Sequence, residues 1–152
     1  MWKVRVFTLY PDSFPGPLGI GLYKKAIEKK LWSLEIVNIR DYSKDKHKTV
    51  DDNPFGGGSG MLMRADVIAN SLDKNITDKN ERIIYLSPKG KKLDQNYAKQ
   101  ILNKNINIIC GHFEGVDQRL LETRNIEEIS VGDFILSGGE IGAFVLIYSV
   151  VR

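Results

Sequence analysis

Arg82-Ile83-Ile84-Tyr85-Leu86-Ser87 is the stretch on which the fold class turns. Ile83 to Leu86 are apolar without alternation, as expected of a strand covered on both faces. A turn-forming loop, Ser87-Pro88-Lys89-Gly90, comes straight after it. Working outward, strand-like and helix-like patterns take turns. On the N-terminal side, Val4 to Leu9 alternates as a first strand, and Pro11, Pro15, Gly16 and Pro17 mark a turn-rich loop. Ile20 to Trp32 has helical spacing, Leu34 to Ile39 reads as a second strand, and Ala65 to Leu72 as a short helix. On the C-terminal side come a helix over Leu93–Leu102, a strand over Ile106–Cys110 and a helix over Asp117–Thr123. A fifth strand, Ile126–Val131, and a strongly apolar helix, Gly139–Val151, complete the series. This alternation predicts an α/β fold, with a mainly parallel sheet flanked by helices.

Composition bounds the function classes. The 152 residues fit one domain with a real core. Met1-Trp2-Lys3-Val4-Arg5 leads straight into a strand pattern, so no signal peptide is expected. The apolar run Ile141–Val151 falls short of the ~20 residues a membrane-spanning helix needs. One cysteine, Cys110, excludes an internal disulfide and suits a reducing cytoplasm, the expected location. With two His and that one Cys, a Cys-rich zinc site is excluded, and no metal is expected. A net charge of +3 permits a polyanionic partner without demanding one.

Three loops follow three of the predicted strands: Ser87–Gly90, Gly111–Gly115 and Gly132–Gly139. In open α/β sheets, ligands bind beyond the carboxyl ends of the strands. All three loops carry glycine or proline and little bulk, which suits a small, partly apolar ligand held by backbone. Each alone reads more readily as a tight turn, but three of them, each at a strand end, count against that plain reading. No G-x-G-x-x-G follows the first strand, and Met61 stands after Gly56-Gly57-Gly58-Ser59-Gly60 where a phosphate-binding lysine would be needed, so a nucleotide triphosphatase is disfavoured. Arg40 to Met61 forms a polar, glycine-rich loop longer than structural loops usually are, and loops of that length are commonly functional or disordered.

Four motifs carry a resemblance: Leu86-Ser87-Pro88-Lys89-Gly90, Cys110-Gly111-His112-Phe113-Glu114-Gly115-Val116-Asp117, Gly132 through Glu140, and Val50 through Gly58. Together, in this order and across essentially the whole chain, they resemble the bacterial TrmD family. These are tRNA (guanine-N1)-methyltransferases of the trefoil-knot (SPOUT) methyltransferase superfamily. The resemblance implies a C-terminal trefoil knot made by the three loops and S-adenosyl-L-methionine as cofactor. It also implies tRNA as partner and homodimers whose active sites draw on both subunits. The implied reaction is methyl transfer to N1 of the guanosine 3′ to the anticodon.

Carried over by motif, methyl-donor contacts fall on Tyr85, Leu86, Ser87, Pro88, Gly111, Glu114, Val131, Gly132, Asp133, Phe134, Ile135, Leu136, Gly138 and Gly139. Glu114 would face the donor's cationic end, and its plain alternative is a carboxylate on a helix dipole. Arg152 matches an arginine that helps stabilise charge on guanine O6, or else is an ordinary helix C-terminal arginine. Arg40, Lys46, His47, Asp51 and Asp52 are the expected RNA-facing residues. Gly142, where the family usually has proline, is expected to loosen the start of the last helix, and His112 carries no expected role. The family's general base, an aspartate, and its tRNA-binding domain are expected beyond residue 152. Residues 1–152 then read as a donor-binding domain that binds without turning over. The alternatives are a non-catalytic nucleotide- or RNA-binding module, and a knotted methyltransferase acting on another RNA.

Overall fold

Alternation in the first strand divides the molecule into two cores. Along β1 (Trp2–Thr8), Trp2, Val4 and Val6 enter one buried cluster, whereas Phe7 enters a second on the opposite face. The computed structural model describes residues 1–52, 62–112 and 115–152. After two short 3-10 turns comes α1 (Gly21–Glu28), then β2 (Trp32–Asn38) and a 3-10 turn over Ile39–Tyr42. A two-residue pair, β3 (Asp51–Asp52) and β4 (Leu62–Met63), stands apart from the main sheet. Then follow α2 (Ala65–Asn75), β5 (Arg82–Lys92), α3 (Gln95–Gln100), β6 (Ile106–Ile109), α4 (Gln118–Thr123), β7 (Glu127–Ser130) and α5 (Glu140–Val151).

The main sheet has the order β2-β1-β6-β5-β7, and every pairing in it is parallel. Helices α1, α3 and α5 supply Ala26, Tyr97, Ala98, Ala143, Leu146 and Ile147 to the first cluster. Helices α2 and α4 supply Val67, Ile68, Leu72, Leu120 and Leu121 to the second. The sheet is therefore covered on both faces, which is why β6 is buried at all four residues. The α/β class and the parallel sheet read from the sequence hold.

Element boundaries differ in instructive ways. The predicted first helix stops at Glu28, and Trp32 opens β2, its indole nitrogen donating to the Tyr23 carbonyl at 3.1 Å. Lys30 sits at φ 60°, and it ends the helix where periodicity alone would continue it. The Leu93–Leu102 prediction resolves into α3 and a 3-10 turn, started by the Asp94 side chain accepting from the Tyr97 N–H at 2.8 Å. The strand expected over Arg82–Ser87 runs on to Lys92. Leu86 and Lys91 both face Ile129 of β7, so Ser87 to Gly90 leave the sheet and return to it. The predicted strand-end loop is thus an excursion inside a strand. The glycine run at 56–58 lies outside the described residues.

Candidate functional site: a cavity at the carboxyl ends of the strands

Gly90 closes the excursion. A Cβ there would stand 2.5 Å from the carbonyl carbon of Glu128 and 2.5 Å from the Ile129 nitrogen, so only glycine lets β5 rejoin β7. Gly139 makes the second close crossing. Its N–H donates to the Gly111 carbonyl at 2.9 Å, and a Cβ would lie 2.8 Å from the Cys110 Cα. The chain entering α5 thus presses on the chain leaving β6, backbone to backbone. Between these crossings the turn after β7 is held by Ser130, whose hydroxyl donates to the Gly132 carbonyl at 2.9 Å and accepts from its N–H at 3.2 Å.

These loops enclose a cavity of about 270 Å3 at the carboxyl ends of β5, β6 and β7. Tyr85, Leu86, Ser87 and Pro88 line it from β5 and its excursion, Gly111 from the loop after β6, and Val131, Gly132, Phe134, Ile135, Leu136, Gly138 and Gly139 from the approach to α5. Twelve of the fourteen donor residues expected from the sequence therefore come together here. Asp133 is not among the lining residues, and Glu114 lies outside the described residues. Phe134 and Ile135 remain 53% and 89% exposed, so the cavity has an apolar rim. Polar side chains line the cavity as well, among them Ser87, Lys89, Gln118 and Glu128. Tyr85 pairs in register with Glu128, and the Tyr85 hydroxyl is pushed above its ordinary pKa, first by burial and then by the Glu128 charge.

Arg152 ends α5, while Glu140 at the other end adjoins the cavity. At 1.5 Å per residue, the helix separates them by about 18 Å. Arg152 is not brought to the cavity of its own chain. The expected RNA-facing residues also lie apart from the lining: Arg40 in the 3-10 turn after β2, exposed Lys46 and His47, Asp51 paired with Met63, and Asp52 with Leu62. That region is nonetheless tied to the cavity loops. The Met63 N–H donates to the Gly115 carbonyl at 2.8 Å, and the His112 N–H approaches the Met63 sulfur at 3.2 Å.

Sequence reasoning missed His112, which also lines the cavity. Its Nε2 lies 2.6 Å from Glu140 Oε1, and Glu140 Oε2 accepts from the Thr8 hydroxyl at 2.7 Å. Thr8 in turn accepts from the Tyr10 N–H at 2.9 Å, and the Tyr10 ring leans on His112 with centroids 4.9 Å apart. Beside an ionised carboxylate, which only accepts, His112 Nε2 is the donor of this pair. The three segments meet across more than a hundred residues of chain, and no local spacing announces that. Gly142 also lines the cavity; α5 begins regularly despite it, with the Ala143 N–H donating to the Gly139 carbonyl at 2.9 Å.

An α/β protein with a glycine-walled, apolar-rimmed cavity beyond the carboxyl ends of its parallel strands has the site geometry in which open α/β sheets hold small ligands. The family model for tRNA (Guanine-1)-methyltransferase TrmD matches residues 2–152, and the chain belongs to that family. A tRNA (guanine-N(1)-)-methyltransferase of Pelagibacter ubique is 65% identical over the whole chain, which covers 67% of that relative. Relatives of the same name from Ehrlichia canis and from Wolbachia pipientis subsp. Culex pipiens are 48% and 50% identical over 99% of the chain, covering 65% and 66% of their lengths. The chain thus spans about two thirds of the length of these curated relatives. Among the described residues, no helix is long and apolar enough to cross a membrane, and no cluster of His, Cys, Asp and Glu is arranged to hold a metal ion.

Proposed function

We propose that this chain is the S-adenosylmethionine-binding part of a methyltransferase acting on N1 of the guanosine 3′ to the anticodon in tRNA. The observation that carries the reading is the cavity itself, in which twelve donor residues expected from the family motifs converge. Family membership and the printed names of the relatives support the reaction and the tRNA substrate.

Leu86, Pro88, Val131, Ile135 and Leu136 would pack on the faces of the adenine, and backbone groups of the 131–139 turn would read its edge. Gly138 and Gly139 would let the ligand approach the backbone. The bound donor supplies an electrophilic sulfonium methyl group. The protein's task is to align that methyl with N1, and holding two reactants in line is worth up to about 7–11 kcal/mol of barrier. Neutral guanine N1 carries a proton, so a general base must remove it. The crossing of the Gly139 and Gly111 segments is the expected site of a trefoil knot. The exposed apolar residues Ile141 and Val145 on α5 are the expected homodimer face. Across such a dimer, Arg152 would serve the partner's site rather than its own.

Hydrogen exchange with and without S-adenosylmethionine tests the reading. Protection is expected at 86–88, 111–112 and 131–139. Protection confined to other segments overturns it.

A further inference from the structure

Beside the donor cavity stands an aromatic ring, Tyr10, that lies outside its lining. Tyr10 is 52% exposed, and its ring leans at 55° on His112, the cavity residue nearest it in the hydrogen-bonded chain already described. Its backbone is pinned on both sides: the Tyr10 N–H donates to Thr8 Oγ1 at 2.9 Å, and the Tyr10 carbonyl accepts from the Ser13 N–H at 3.0 Å. His112 is fixed from behind by Glu140, which Thr8 also holds. Thr8 is fully buried and Glu140 is 8% exposed, so the support is rigid while the Tyr10 ring is open to solvent. The Tyr10 ring's contact with His112 limits its rotamers, which lowers the entropy it loses on binding.

We propose that Tyr10, backed by His112, is a stacking platform for the methyl-accepting guanine, holding the flat face of that base at the mouth of the donor cavity. The proposal rests on the reading of the cavity as a methyl-donor site. Guanine N1 lies on the Watson–Crick edge, so the base must be unpaired and splayed out to be methylated. A splayed base presents both faces to the protein, and stacking on an aromatic ring is the usual way one is held. His112, on which the Tyr10 ring leans, lines the cavity, so a base stacked on Tyr10 lies beside that cavity. Among the described cavity-lining residues, Phe134 is the one large exposed aromatic ring, and it belongs to the turn expected to wrap the donor.

The test uses an anticodon stem-loop RNA with 2-aminopurine in place of the methyl-accepting guanine, titrated with wild-type protein, Tyr10→Phe, Tyr10→Ala and Tyr10→Leu. Stacking quenches the probe, so quenching is expected with the wild type and with Y10F. It should disappear with Y10A and Y10L, with RNA affinity falling roughly ten- to a hundred-fold. Y10L keeps the apolar bulk, so it separates a flat ring from mere packing. Calorimetric titration with S-adenosylmethionine should give the same affinity for all four proteins. Quenching retained in both Y10A and Y10L, or absent with the wild type, overturns the platform. A change of oligomeric mass in Y10A assigns Tyr10 to contact with a second copy and also overturns it. A wild-type protein that binds no donor, yet shows Tyr10-dependent quenching, would instead sink the donor reading and leave the stacking site standing.

Discussion

Replacing Gly139 by alanine tests how tightly the two chain segments cross. The added Cβ would lie 2.8 Å from the Cys110 Cα, 2.9 Å from the Gly111 nitrogen and 3.2 Å from the Cys110 carbonyl carbon. All three are backbone atoms, and none can rotate away as a side chain would. Overpacking of a close-fitted site costs about 1–3 kcal/mol. Separating the strands also weakens the bond from the Gly139 N–H to the Gly111 carbonyl, worth about 1 kcal/mol. The expected loss of stability is therefore about 2–4 kcal/mol, or about 5–15 °C in Tm for a domain of this size. Because the same peptides wall the cavity, ligand affinity should fall with it, and Gly139→Val should abolish binding. Urea unfolding and calorimetric titration of G139A read the two effects. An unchanged midpoint together with unchanged affinity would refute the crossing as described.

Other residues give independent checks. Gly90→Ala should lose stability by about 1–3 kcal/mol in urea melts, since its Cβ would meet the Glu128–Ile129 peptide; a neutral result would contradict the return of β5 to β7. Glu140→Ala removes the acceptor for both the buried Thr8 hydroxyl and His112 Nε2, and should cost about 2–4 kcal/mol by the same measurement, whereas a loss under half of that would show the pair to be expendable. Asp117 caps α4 and meets Arg119 at 2.7 Å, which holds its carboxyl down to about 2 from an ordinary 3.8. A lowered carboxyl stabilises the fold above its unfolded pKa, and that contribution is lost as pH falls through the folded value, here between about 4 and 2. An NMR titration of the Asp117 carboxyl with its midpoint near 4 would contradict this. The Cys110 thiol is buried, and burial followed by the Glu140 charge pushes its pKa up. It should resist alkylation at pH 8 until the protein unfolds, and rapid native labelling would contradict its burial.

How far the sequence reached depended on how local each signal was. Ile83 to Leu86, apolar without a break, announced a doubly covered strand because burial on both faces acts residue by residue. The three glycine-bearing loops announced a backbone-lined site for the same reason. Two things were not legible. The excursion at Ser87–Gly90 depends on Gly90 fitting against β7 some forty residues later, and only the register with Ile129 reveals it. The Thr8–Glu140–His112–Tyr10 chain joins residues at opposite ends of the sequence, and each looks ordinary where it stands. His112 between Gly111 and Phe113 carries no periodicity, and its partner appears only once α5 is packed on the first strand. Arg152 is a separate case: the motif supplied the residue, and the length of α5 keeps it away from the cavity of its own chain.

The central claim is that the glycine-walled cavity holds S-adenosylmethionine. Isothermal titration of the protein with that donor tests it most directly. One donor bound per chain, displaced by S-adenosylhomocysteine and lost in Gly139→Val, is the predicted result. No detectable heat at millimolar donor, or unchanged binding in the Gly139 variant, would contradict the account.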